Sequence, residues 1–164
     1  MKPRPAEQRT TAAPPKRVLI IRLSAIGDVV FASPLVSSIK RTYPEANIYW
    51  LAESNVVPLL THDPDLSETL VWPREEWRAL LRSGCWLQLI RAIDAFRRRL
   101  RAYQFDLVLD TQGLLKSAFL AWLTGAPRRI GFKSKEPTGL LLTQTVEKDL
   151  APTISSEYRG LALH

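Results

Sequence analysis

From residue 16 onward the apolar positions fall into two alternating patterns. Residues 17–23 form a short run rich in Val, Leu and Ile, as in a strand covered on both faces. The turn Ser24-Ala25-Ile26-Gly27-Asp28, with Gly27 at its bend, ends that run. Residues 29–42 then bring Phe31, Leu35, Val36 and Ile39 to one side at helical spacing. Pro34 fits a single helix there because it lies in the opening turns, and Tyr43-Pro44 ends it. The unit repeats with a strand at 47–52, a short helix at 54–61 and a strand at 69–72. A long Arg-rich amphipathic stretch follows over 77–103, with a break expected near Ser83-Gly84. After it come a strand at 106–110, a helix at 114–123 and a strand at 128–132. Beyond Lys133 the pattern weakens to a short apolar segment at 138–142 and a helix-like run over 155–164. Cys85 and Trp86, inside the long stretch, are expected in the core.

Strands alternating with helices predict an α/β fold with a doubly wound, mostly parallel sheet and helices on both faces. Three spans are expected. Residues 1–15, rich in Pro, Ala and Thr, read as a disordered leader, and 16–154 as the folded domain. Residues 155–164 stop in mid-pattern and read as the start of a linker to a further domain.

Composition narrows the choice. At 164 residues, 46% apolar with five Trp, the chain suits one domain with a genuine core and excludes a disordered protein. One cysteine and two histidines, His62 and His164, exclude an internal disulfide framework and a Cys-based zinc site. Neither metal nor cofactor is expected, and a reducing, cytoplasmic compartment is. The apolar run at 18–21 is far too short for a signal peptide or a membrane span. The net charge of +7 is concentrated in two places. Residues 1–17 carry five basic residues against Glu7 alone, and 74–101 carry eight Arg against Glu75, Glu76 and Asp94. A phosphate-bearing or anionic partner fits that distribution, and a solvated helix face fits it equally well. Nucleic acid does not, because the aromatics sit mostly in apolar runs rather than among the basic residues.

Ligands of doubly wound sheets bind beyond the carboxyl ends of the strands. The loop from Arg22 to Asp28 lies there. With one Gly it matches neither a dinucleotide fingerprint nor a P-loop. Asp28 taken alone reads as a helix N-cap. The loop Asp110-Thr111-Gln112-Gly113-Leu114-Leu115-Lys116-Ser117 places a Gly for a turn, Gln112 for a sugar or phosphate oxygen, and Lys116 one turn into a helix. A capped turn with a surface Lys describes it as well. Ser134-Lys135-Glu136-Pro137 forms a third polar loop.

The order of these segments carries more than any one of them. Ser24 through Val30, Tyr43-Pro44, Trp50-Leu51-Ala52-Glu53, Asp106 through Ala118, Gly131-Phe132 and Lys135-Glu136-Pro137 together resemble the amino-terminal half of the glycosyltransferase family 9 heptosyltransferases. The run Gln112 through Ser117 points toward the heptosyltransferase I branch. The resemblance covers about residues 16–164 and implies half of a GT-B enzyme, Rossmann-like, with acceptor bound mainly by this half and nucleotide sugar by the other. It implies metal-independent, inverting transfer of heptose from ADP-heptose to Kdo–lipid A, a phosphorylated glycolipid, at the cytoplasmic face of the inner membrane. The family's catalytic aspartate falls on Asp28. Arg22 stands where the family often has Lys, and Lys135 where it has the Arg of an Arg-Glu-Pro loop, a change that loses the bidentate fork. The acceptor side would comprise Arg22, Ser24, Gly27, Arg74, Arg78, Arg82, Gln112, Gly113, Lys116 and Lys135. An inverting transfer needs one base for the acceptor hydroxyl while the leaving group departs from the opposite face. The alternative from another class is a non-catalytic module that binds anionic glycolipid.

Overall fold

The computed structural model describes residues 13–147. Most of the expected leader (1–12), residues 148–154 of the expected domain and the whole expected linker (155–164) lie outside the described residues. The elements are β1 (Arg17–Ile21), α1 (Ile26–Ala32), α2 (Pro34–Thr42), β2 (Asn47–Ala52), α3 (Val57–Leu60) and β3 (Leu66–Val71). They continue with α4 (Arg74–Arg82), α5 (Trp86–Ala102), β4 (Leu107–Asp110), α6 (Leu115–Leu123), β5 (Arg128–Phe132) and β6 (Gln144–Val146). All strand pairs are parallel, in the order β3-β2-β1-β4-β5-β6. The chain thus builds outward from β1 to β3, crosses back to lay β4 beside β1, and builds outward again.

Strand alternation assigns the side chains to two cores. Val18, Ile20, Trp50, Leu109 and Phe132 pack with Val29, Val36 and Ile39 of α1 and α2 on one face. Leu19, Ile21, Leu51 and Val108 pack with Trp77, Phe96, Leu100, Ala118 and Leu120 of α4, α5 and α6 on the other. β1 is covered from both sides, which explains its unbroken apolar run. Each fully buried Leu or Ile there contributes about 1.5–3 kcal/mol of transfer free energy.

Five of the six strands match the expected runs. The sixth, β6, was not expected: it is a three-residue edge strand in which only Val146 is partly buried. The single helix expected over 29–42 is two helices. Pro34 opens α2 at a position where its missing N–H is not needed, and Ser33 ends α1. The long stretch breaks as expected, with Gly84 in the left-handed region (φ +70°) between α4 and α5. Pro15, assigned to the leader, is buried. Trp86 is not core; it is 60% exposed at the start of α5. Among the described residues no helix is long and apolar enough to cross a membrane, and no cluster of His, Cys, Asp and Glu could hold a metal ion.

Candidate functional site

The strand order reverses between β1 and β4, so the loops leaving their carboxyl ends part to opposite faces of the sheet and open a crevice. Arg22, the residue after β1, is buried there. Its guanidinium donates to the Thr111 carbonyl after β4 and pairs with the Asp28 carboxylate. Its backbone is equally fixed: the N–H donates to the Leu51 carbonyl (3.3 Å), and its carbonyl accepts from the Trp50 indole (3.1 Å). The next N–H, of Leu23, donates to Gln112 Oε1 (2.9 Å), and the Leu23 carbonyl accepts from Glu53 N–H (3.0 Å). Three loops, after β1, β2 and β4, are thereby tied together.

Asp28 is not an N-cap. The cap position is Ala25, and Asp28 sits in the first turn of α1 with its carboxylate turned back onto Arg22. The Asp28 side chain is 51% exposed against 10% for Arg22, so a buried cation holds an accessible carboxylate. Gly27 makes no bend; it lies inside α1, and its missing side chain faces open space. Ser24 is half-buried beside it.

On the β4 side, Gly113 adopts the left-handed conformation (φ +71°) that the turn needs. Asp110, fully buried at the end of β4, organises that turn. Its Oδ1 accepts the N–H groups of Gln112 (3.0 Å) and Gly113 (3.3 Å), and its Oδ2 accepts from the Ser117 hydroxyl (2.9 Å). Gly131 of β5 packs directly against it: a Cβ there would stand 3.1 Å from Asp110 Cβ and 2.8 Å from Leu142 Cδ1. Lys116, in the first turn of α6, is half-buried, and Lys135 is exposed in the loop after β5. The neighbour of Lys135, Glu136, accepts the Leu115 N–H at the start of α6.

The Arg residues after β3 are placed differently. Arg74 is engaged by Glu53, which follows β2, through a 2.9 Å ion pair. Arg78 pairs with Glu75 on the surface, and Arg82 is exposed at the end of α4. A groove of about 440 Å³ beside Arg74 is lined by Glu53, Glu75 and Glu76. An anion entering it would meet three carboxylates and one guanidinium already paired. The structure therefore brings Arg22, Ser24, Asp28, Gln112 and Gly113 together and sets Arg78 and Arg82 apart along α4.

A model for glycosyltransferase family 9 (heptosyltransferase) matches residues 93–163. Lipopolysaccharide heptosyltransferase 1 of Pseudomonas aeruginosa is 31% identical over 114 residues, which are 66% of this chain and 30% of that protein. Lipopolysaccharide core heptosyltransferase OpsX of Haemophilus influenzae is 26% identical over 90% of this chain and 40% of its own length. Over these spans the chain is similar to glycosyltransferase family 9. It spans 30–40% of the length of these two curated relatives. Its fold is that of E. coli heptosyltransferase WaaC with ADP-2-deoxy-2-fluoro heptose, at a TM-score of 0.74 and 24% identity, over 89% of this chain and 47% of that one. E. coli ADP-heptose lps heptosyltransferase II aligns over 89% of this chain and 40% of its own, at a TM-score of 0.68 and 25% identity.

The residue that sequence reasoning passed over is Asp110. Burial lifts its carboxyl from 3.8 to about 6, against the lowering effect of the Ser117 hydroxyl, the Gln112 and Gly113 N–H groups and Arg22. Between those two values the native state keeps a proton that the unfolded chain has released. Stability from this residue therefore falls as pH rises through that window and is level above it. Two pH units correspond to about 3 kcal/mol. Asp110→Asn keeps an oxygen for both N–H groups and presents an amide N–H to the Ser117 oxygen. Relative to the parent it is expected to gain about 2–3 kcal/mol between pH 4 and pH 7, measured by urea unfolding at each pH. Identical pH dependence in the two proteins would refute the buried-proton account.

Proposed function

We propose that this chain is the acceptor-binding half of a heptosyltransferase, which transfers heptose from ADP-heptose to a Kdo–lipid A type acceptor with inversion at the sugar. The observation that carries the reading is the Arg22–Asp28 pair, an accessible carboxylate anchored at the carboxyl end of β1 in the central crevice. The match to the family 9 model over residues 93–163 and the names of the relatives support the substrate class.

In this reading the acceptor hydroxyl lies against Asp28, which takes its proton as the bond to the heptose forms and the bond to ADP breaks on the opposite face. Proton transfer late in that step suits a carboxylate, because the attacking oxygen has by then become strongly acidic. Arg22 holds the carboxylate in place, and the Thr111 carbonyl fixes Arg22 in turn. Gln112 and Gly113 position the β4 turn that forms the opposite wall, and Lys116 and Lys135 supply positive charge beside it. The enzyme would work at the cytoplasmic face of the inner membrane, where a lipid-linked acceptor is presented.

Donor and acceptor must be held in line for transfer, and the effective molarity is lost when one wall of the cleft is absent. Purified residues 1–164 are accordingly expected to unfold cooperatively, to bind the deacylated inner-core acceptor, and to release no ADP from ADP-heptose above background. ADP release that depends on Asp28 would place a donor site within this chain. Failure to bind the acceptor would remove the acceptor-half assignment.

A further inference from the structure

The segment 86–90 contradicts its own sequence pattern. Trp86, Leu87 and Ile90 are 60%, 73% and 62% exposed, and Leu81 at the last turn of α4 is exposed beside the break. On α5 the three side chains fall within an arc of about 100°. One to three turns further on, Asp94, Arg97 and Arg101 occupy that same arc. The outer face of α5 is thus apolar over its first two turns and charged afterwards, whereas its core residues, Phe96 and Leu100, lie in the second half.

The position of this apolar tip follows from helix length. α5 ends at the amino edge of the sheet, where Arg17, the first residue of β1, donates to the Tyr103 carbonyl (2.7 Å). At about 1.5 Å per residue its 17 residues cover about 25 Å, against about 16 Å for the five residues of β1. Phe96 already packs on Trp77, and Trp77 on Trp72 just past the end of β3 (ring centroids 5.6 and 6.0 Å). Ten further residues, about 15 Å of helix, extend beyond Phe96. The tip therefore overhangs the carboxyl edge of the sheet, the edge that carries Arg22 and Asp28.

Nearest the tip, Arg82 and Arg91 stand without an ion pair among the described residues, while Arg78 pairs with Glu75, and Asp94, one turn further along α5, with Arg97 and Arg98. Between Trp77 and Ile93 the sequence has Arg78, Arg82 and Arg91 and no Asp or Glu. A Trp-led apolar face rimmed by arginines is complementary to an anionic lipid surface, where the ring and aliphatic groups enter the headgroup boundary and the guanidinium groups meet phosphates. We propose that the α4–α5 hairpin, through Leu81, Trp86, Leu87 and Ile90, docks this domain on an anionic bilayer. Docking there would hold the carboxyl edge of the sheet against the lipid. Only the consequence that an acceptor is thereby presented to Asp28 rests on the function proposed above; the docking stands apart from it.

The test uses residues 1–164 and vesicles of phosphatidylcholine and phosphatidylglycerol at about 7:3, with pure phosphatidylcholine vesicles as the reference. Co-sedimentation is expected with the anionic vesicles and to weaken with salt. The triple variant Trp86→Ser, Leu87→Ser, Ile90→Ser is expected to lower partitioning by at least about tenfold with an unchanged circular dichroism spectrum, because all three side chains are exposed. The pair Arg82→Glu, Arg91→Glu should weaken binding and flatten its salt dependence. A fluorescence blue shift on anionic vesicles should disappear in Trp86→Phe while binding persists. Absence of binding by the parent protein overturns the proposal. Parental binding by the triple variant overturns it too, and assigns the affinity to the basic residues of 1–17. A dimer of the parent protein that the triple variant dissociates would make a second copy the occupant and overturn it likewise. Vesicle binding involves no sugar donor or acceptor, so its failure is distinct from failure of the transferase reading.

Discussion

Asp28→Asn is expected, on the proposed transferase reading, to lower heptose transfer by about 10²–10⁴-fold, the usual loss for a general base, in an assay where a donor-binding domain is supplied. The substitution keeps the shape of the side chain and an oxygen for Arg22, and removes the proton acceptor. Because Asp28 is half exposed, its ion pair contributes no more than about 1 kcal/mol to stability, so the unfolding midpoint should barely move. Acceptor affinity should be retained within a few-fold. Turnover within about threefold of the parent would reduce Asp28 to a partner for Arg22.

The second large effect belongs to Arg22. Arg22→Met removes a buried cation that stands near two carboxylates, Asp28 and Asp110, and leaves the Thr111 carbonyl without its guanidinium donor. Breaking a fully buried pair costs about 3–5 kcal/mol; with Asp28 able to turn to solvent, a loss of about 2–4 kcal/mol is expected in chemical denaturation. Transfer should fall with it, since the carboxylate loses its anchor. Arg22→Lys, the residue the family resemblance implies at this position, should recover most of the activity by restoring the charge and one donor. Equal stability of Arg22→Met and the parent would mean that the guanidinium organises nothing.

Much of this was legible because the strands are short apolar runs in a regular order, and such runs register strongly in a sheet buried on both faces. β1 and β4 are the clear cases. What escaped did so for identifiable reasons. β6 is a three-residue edge strand, and Gln144 and Thr145 are both exposed, so no alternation marks it. Pro34 was compatible with one helix or two, and only the end of α1 at Ser33 decides between them. Trp86 was assigned to the core on residue type, but helix length rather than hydrophobicity fixes where it lies. Asp28 was placed by a family resemblance, and its partner Arg22 lies six positions away in the same loop. Asp110 had its own signal, a carboxylate ending an apolar strand with Gly three and Ser seven residues later, but that pattern reads as an ordinary capped turn until β5 is seen to close over it.

The central crossover also has a consequence for how the site comes into being. Arg22 and Thr111 stand 89 positions apart in the chain, as do Leu23 and Gln112. Every contact that fixes the Arg22 guanidinium from the β4 side is therefore non-local, and loop closure must precede it. Parallel sheets with such separations fold slowly for their size. During synthesis, a nascent chain that has emerged only as far as α5 already contains Arg22 and Asp28 but has no β4 turn to lock them. The order of synthesis puts the site geometry late: the carboxylate is positioned by the pairing that completes the middle of the sheet. Site geometry should accordingly report on global folding, and any opening of the β1–β4 seam should be felt at Asp28 before the outer strands separate.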